Sequence, residues 1–257
     1  MAYLTTRTDD RGVTTLTLNR PDQYNALDRS FLDEFKITLD KLGSNTRILV
    51  IAGAGKHFCA GADINWMKQS AELSDEENQA DAMALSDMLD TLNSFSRPTI
   101  ARVQGAALGG GTGLVCCCDI VVASESAKFA FSEVKLGIMP ATISPYALAA
   151  IGARAARRYF LTAEHIDAVD AYRLGLVHDV CSTENLDHRV EEQITALLQC
   201  APLAQSATKK LINDVAGRPI DKALRESLSS RLADIRAGEE AQEGLGAFLD
   251  KRPPPWN

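Results

Sequence analysis

No stretch of the 257-residue chain approaches the run of about eighteen apolar residues that a membrane-spanning helix needs. The N-terminal run Met1-Ala2-Tyr3-Leu4-Thr5-Thr6-Arg7 has no apolar signal core, so a cytoplasmic protein without a membrane partner is expected. A basic stripe is also missing. With Lys and Arg numbering 27 against 34 Asp and Glu, the net charge is −7, which argues against a nucleic-acid binder, although a local basic cluster would suffice for one phosphorylated cofactor. The GxSxG nucleophile elbow, the HExxH metal helix and the GxGxxG spacing are absent, and Gly53-Ala54-Gly55-Lys56 is too short for a P-loop. Paired CxxC motifs are absent too. Six cysteines stand at 59, 116, 117, 118, 181 and 200, and three consecutive ones cannot all join a disulfide framework. Neighbouring side chains at Cys116 to Cys118 point in different directions, so reduced, buried thiols and no metal site are expected.

What is present is ordinary globular composition, 46% hydrophobic and 24% charged. Val13 to Leu18 alternates like a strand, and Leu18-Asn19-Arg20-Pro21 turns the chain toward a helix capped near Asp28 or Ser30. The continuous apolar run from Arg47 to Ala52 suits a strand buried on both faces, and the runs from Pro98 to Val103 and from Asp119 to Ala123 repeat it. Helical segments from Ser74 to Phe95 and from Gly111 to Cys118 alternate with these strands. That order predicts an α/β fold with several parallel strands. Strand signals stop near residue 195, dividing a core over 1–195 from a helical region over 196–257. There Leu224, Leu228, Leu232 and Ile235 recur at helical spacing, as on a helix that docks on its own core or on another subunit. Pro253-Pro254-Pro255 is expected to lie extended.

Two segments of small residues carry the chemistry: Phe58-Cys59-Ala60-Gly61-Ala62-Asp63-Ile64, and Gly105-Ala106-Ala107-Leu108-Gly109-Gly110-Gly111. The glycine triplet follows a strand-like run and opens an apolar helix, which places free N–H donors at a helix N-terminus. Two backbone donors aimed at one thioester oxygen stabilise an enolate. A single carboxylate follows, in Phe131-Ser132-Glu133, placed to move the proton. The four histidines share no motif, and His57 is expected to pack in its loop.

These segments, together with Leu18-Asn19-Arg20-Pro21, Asn25-Ala26-Leu27, Cys118-Asp119-Ile120, Leu136-Gly137-Ile138-Met139-Pro140 and Ala247-Phe248-Leu249-Asp250-Lys251-Arg252, resemble the enoyl-CoA hydratase/isomerase, or crotonase, superfamily along essentially the whole chain. The resemblance implies a crotonase-like spiral of ββα units with a C-terminal helical trimerisation region, assembled as a homotrimer or homohexamer. It implies no permanently bound cofactor, with coenzyme A arriving as part of an acyl-CoA substrate. Oxyanion donors would be the N–H groups of Ala60 and Gly110, with Glu133 as the acid/base. Gln23, Tyr24, Ala26, Gly61, Ala62, Asp63, Ile64 and Gly109 would line the path of the substrate. Phe248 and Lys251 match the family's aromatic and basic pair that reaches the CoA nucleotide, commonly across a subunit boundary.

Two departures narrow the chemistry. Gly113 stands where two-glutamate hydratases carry a second carboxylate, which leaves Glu133 alone. The segment Ala141-Thr142-Ile143-Ser144-Pro145-Tyr146, with Ala155 to Thr162, resembles bacterial methylglutaconyl-CoA hydratases of leucine and isovalerate breakdown. It marks Thr142, Ser144 and Tyr146 as acyl-pocket candidates and calls for a polar or cationic partner to a distal carboxylate. Trp66 and Met67 are candidates for the pocket border. Arg154, Arg157 and Arg158 read as a solvated helix face. The expectation is therefore water addition to an enoyl-CoA, with 3-methylglutaconyl-CoA as the specific substrate. An enoyl-CoA isomerase using the single carboxylate and a non-catalytic acyl-CoA-binding protein are the alternatives.

Overall fold

The computed structural model describes residues 2–43 and 45–256. Strands β1 (Leu4–Thr8) and β2 (Val13–Leu18) form an antiparallel pair with Leu4 opposite Leu18. Helix α1 (Arg29–Lys41) starts at Asp28, whose carboxylate accepts from the Phe31 N–H at 2.9 Å and satisfies one of the free donors of the first turn. All six residues of β3 (Ile48–Gly53) are buried, as its unbroken apolar run predicts. Next come α2 (Ile64–Ser70) and α3 (Asp75–Asn93), the latter opened by a reciprocal Ser74–Glu77 capping box. The chain continues through β4 (Thr99–Val103), β5 (Ala106–Leu108), α4 (Gly110–Cys116), β6 (Ile120–Ser124), β7 (Lys128–Ala130) and a 3-10 turn at Glu133–Leu136. Helix α5 (Ser144–Thr162), β8 (Ile166–Asp167), α6 (Ala168–Leu174), β9 (Asp179–Cys181) and α7 (Leu186–Leu198) complete the core. Three helices close the chain: α8 (Pro202–Val215), α9 (Lys222–Ala237) and α10 (Glu239–Leu249).

The larger sheet runs β1-β2-β3-β4-β6-β9, parallel from β2 onward, and the smaller one runs β5-β7-β8. Isolated parallel bridges Leu27–Ala62 and Cys59–Ala107 extend the smaller sheet backward along the chain. Each turn of the chain thus lays one strand in the large sheet, one stretch in the small ladder and then a helix, which is the expected spiral of ββα units. Two apolar clusters fill it. Leu16, Leu18, Leu49 and Ile51 pack toward Phe31, Phe35, Met88 and Leu89, while Val13, Ile48, Val50, Ile100 and Val122 face Leu186, Val190 and Ile194 of α7.

Several details differ from the sequence pattern. Strands β5, β7, β8 and β9 are two or three residues long, too short to register as alternation. Helix α7 runs through position 195 with its apolar face on β4, β6 and β9, so the core extends to Leu198. On α9 only Leu224 is buried, and Leu232 and Ile235 are exposed. The C-terminal tail turns back, with Arg47 Nη1 donating to the Trp256 carbonyl at 3.1 Å.

Candidate active site

The two small-residue segments are held together by backbone contacts that leave no room for side chains. A Cβ on Gly61, which lies at φ +91°, would fall 2.7 Å from the Leu108 carbonyl oxygen, and one on Gly111 would fall 2.4 Å from that of Cys59. Their smallness serves the approach of one segment to the other as much as the approach of a ligand. Gly109, at φ +49°, donates its N–H to the Ala130 carbonyl at 2.8 Å and ends the small-sheet stretch, so Gly110 opens α4 with a free N–H.

One donor differs from expectation. Ala60 donates its N–H to the Tyr24 carbonyl at 2.9 Å and has none to offer a substrate. The bonds around Ala62 run from Leu27 N–H to the Gly61 carbonyl and from Asp63 N–H to the Leu27 carbonyl, and among the described residues nothing accepts from the Ala62 N–H. The free pair is therefore Ala62 and Gly110, because the left-handed turn at Tyr24 (φ 52°) places its carbonyl against Ala60.

Both residues line a cavity of about 440 Å³, shared with Glu133, Gly61, Ile64, Gly109, Thr142 and also Ala60. Glu133 is half-buried at the head of its 3-10 turn, and its Oε2 has no hydrogen-bond partner among the described residues. Burial pushes its carboxyl above the ordinary glutamate value. A Cβ on Gly109 would sit 3.2 Å from Glu133 Oε1, so the carboxylate lies directly over the glycine segment. A carboxylate with an unpartnered oxygen and two free backbone N–H groups thus line one space.

The other predicted residues distribute unevenly. Gln23, Tyr24 and Ala26 form the turn beside the cavity without lining it, and Tyr24 stacks edge-on against His57 at 5.4 Å. His57 accepts from the Ala106 N–H through Nδ1, a loop-packing role. Asp63 caps α2, accepting from Asn65 N–H at 2.8 Å. Tyr146 points elsewhere, into a separate cavity of about 640 Å³ with Cys116, Cys118 and His178, because α5 begins at Ser144 and carries it to the far side of α4; Ser144 bonds the Ala141 carbonyl. Phe248 and Lys251 are exposed at the end of α10, which packs on α8 and α9 away from this cavity. The pattern did not point to Ser70, Asn78 and Asp81, which line the wall from α2 and α3, whereas Trp66 and Met67 do border it. Among the described residues no group of side chains suits a metal ion, and the Cys59 and Cys116 thiols are pushed up to about 12 by burial.

The family model for enoyl-CoA hydratase/isomerase matches residues 8–257. The chain belongs to the enoyl-CoA hydratase/isomerase family. A 2,3-dehydroadipyl-CoA hydratase of Escherichia coli K12 is 35% identical, with 93% of this chain and 92% of that protein aligned. A mitochondrial Delta(3,5)-Delta(2,4)-dienoyl-CoA isomerase of Dictyostelium discoideum is 30% identical, covering 96% of this chain and 88% of that protein. Among solved structures, an enoyl-CoA hydratase from Shewanella pealeana superposes with a TM-score of 0.95 at 44% identity, over 99% of this chain and 96% of that one. The spiral described above is the crotonase fold of these enzymes.

Family membership sharpens the meaning of Gly113. A Cβ there would lie 2.5 Å from Ile143 Cγ2 and 3.4 Å from Leu89 Cδ2. Apolar side chains, Ile143 and Leu89, fill the space that a side chain at 113 would need. Two carboxylates line this cavity: both oxygens of Asp81 accept hydrogen bonds, from Trp66 and Ser70, whereas Glu133 keeps an unpartnered Oε2 among the described residues.

Proposed function

We propose that the protein is an enoyl-CoA hydratase in which Glu133 alone moves the proton. The observation that carries this reading is the unpartnered Glu133 Oε2 in the cavity that also receives the free N–H groups of Ala62 and Gly110. The thioester carbonyl accepts from those two donors. Glu133 takes a proton from water as the water oxygen bonds to the β-carbon; the electron pair of the double bond moves onto the carbonyl oxygen. The resulting carboxylic acid returns a proton to the α-carbon, and the enolate collapses to the 3-hydroxyacyl thioester. Each donor is worth about 3 to 4 kcal/mol at the charged stage, so the pair supplies a large part of the acceleration.

The finer reading is that the acyl group is 3-methylglutaconyl, from the resemblance of Ala141 to Tyr146 and the run after it. Of that segment Thr142 and Ile143 line the cavity. No Lys, Arg or His lines it among the described residues, so the distal carboxylate would be received by neutral donors, for which Asn78, Ser132 and Thr142 are placed. A homotrimer or homohexamer is supported by Leu245, Phe248 and Leu249 standing exposed on α10 and Leu232 on α9. No helix among the described residues is long and apolar enough to cross a membrane, and we place the enzyme in the cytoplasm.

One carboxylate with an unpartnered oxygen beside two oxyanion donors also favours a second reading, migration of the double bond of a 3-enoyl-CoA by a proton shift from the α- to the γ-carbon. Incubation with crotonyl-CoA, 3-methylglutaconyl-CoA and a 3-enoyl-CoA in ¹⁸O-labelled water separates the two. Incorporation of ¹⁸O at the β-carbon is the expected result, with 3-methylglutaconyl-CoA the preferred substrate. Double-bond migration without labelled product would replace hydration by isomerisation.

A further inference from the structure

Asp81 is a buried carboxylate in an otherwise exposed stretch of α3, with 8% of its surface accessible. Its Oδ1 accepts from the indole Nε1 of Trp66 at 3.3 Å, its Oδ2 from the Ser70 hydroxyl at 2.6 Å, and Arg29 Nη1 of α1 lies 3.7 Å from Oδ1. Both oxygens are thereby engaged, and both hydrogen bonds go to α2. That helix has seven residues and none of them is buried; Trp66, half-buried, packs against the main core, so the orientation of α2 depends on how that indole is held. Yet α2 supplies Ile64, Trp66, Met67 and Ser70 to the cavity that holds Glu133, and it begins two residues after Ala62, the free donor.

We propose that Asp81 is a positioning residue: by holding the Trp66 indole and Ser70 it sets the orientation of the α2 wall and hence which acyl groups the cavity accepts. The inference rests on the reading of that cavity as the acyl site of a hydratase. A carboxylate suits this role because two acceptor oxygens tie two donors a helical turn apart on α2, and the partly shared Arg29, also bonded to Asp33, offsets the buried charge. An apolar residue at 81 would leave the indole N–H unpaired and free the ring to swing into or out of the acyl space.

The test uses the full-length protein with Asp81→Ala and Asp81→Asn. Trp66 and Trp256 are the two tryptophans, so a Trp256→Phe background reports Trp66 alone. Asp81→Ala is expected to shift the emission of Trp66 to the red and to change the ratio of kcat/KM for crotonyl-CoA to that for 3-methylglutaconyl-CoA by about tenfold, because a wall displaced by a fraction of an ångström misplaces the larger acyl group. Asp81→Asn, which retains an acceptor for the indole, is expected to restore both readouts most of the way. A lower Tm with unchanged emission and unchanged ratio would make Asp81 a support of the fold only and overturn the proposal. Dissociation constants for butyryl-CoA and isovaleryl-CoA need no turnover. If neither enoyl thioester reacts but their ratio moves with Asp81→Ala, the hydratase reading fails and the role of Asp81 stands; a ratio that does not move overturns that role.

Discussion

Ile143 occupies the space into which a side chain at position 113 would grow: a Cβ on Gly113 would come within 2.5 Å of Ile143 Cγ2 and 3.2 Å of its Cβ. Glycine at 113 and isoleucine at 143 are one structural fact, since the isoleucine occupies the space a side chain at 113 would need. Gly113→Ala should therefore destabilise the protein by about 1 to 3 kcal/mol through overpacking. Ile143→Ala, which empties a site only 1% exposed, should cost about 2 to 5 kcal/mol. In the double variant the new methyl enters the vacated space, so urea midpoints should give a loss smaller than the sum by at least about 0.5 kcal/mol. Strict additivity would mean that the two positions do not compete for space.

Burial raises the Glu133 carboxyl above its unfolded value, and this has a fixed sign in stability. Between the unfolded and the raised folded value the native state binds more protons, so this group's contribution to stability falls as pH rises through that window. Above it the buried charge is a standing cost. Glu133→Gln, which carries no such charge, should have a higher Tm than the parent near neutral pH, with the gap closing as pH falls into the ordinary carboxylate range. Thermal melts across pH check this, and a gap that widens toward acid would contradict it.

The same raised value places the acid limb of the activity profile. Hydration needs Glu133 unprotonated to accept from water, so kcat/KM should rise with pH along a limb lying above the ordinary carboxylate range. A limb at the value of an exposed glutamate would show that water reaches Glu133 freely in the working enzyme.

Gly110 separates the donor from the space around it. Proline is tolerated at the first position of a helix, where Gly110 stands, and it removes the N–H. Gly110→Ala keeps the N–H while bringing the same Cβ to within 2.8 Å of Leu27 Cδ1, the mobile end of a side chain. The alanine variant should retain most of the activity of the parent, whereas the proline variant should lose a further factor of about 10²–10³ in kcat. Equal losses would assign the effect to crowding at Leu27 and not to the donor.

Much of this site is legible in the sequence, for reasons that differ by residue. Gly109 to Gly111, Phe58 to Ile64 and Glu133 announce themselves because close backbone approach and a lone acid in an apolar run demand particular residue types. The choice between Ala60 and Ala62 is not legible, since either is an alanine, and which N–H is free depends on a carbonyl at Tyr24 from an earlier turn of the spiral. Tyr146 faces the other cavity because its direction depends on how α5 is set against α4; Pro145 in the first turn marks where the helix starts but does not fix which face of it meets the site. Asp81 is hidden for a third reason. It sits in a polar, solvent-facing stretch, and only the packing of α2 over it makes it a buried group. The large-sheet strands can be read from continuous apolar runs, whereas the small ladder is built from pieces too short to have a period.

The most direct test of Glu133 as the sole proton-moving carboxylate is the effect of Glu133→Gln on kcat for crotonyl-CoA hydration, measured beside the Kd for butyryl-CoA. The structure predicts a fall in kcat of about 10²–10⁴-fold, with binding of the saturated thioester retained through Ala62 and Gly110. Turnover at the rate of the parent protein would remove Glu133 from the chemistry, and the single-carboxylate mechanism with it.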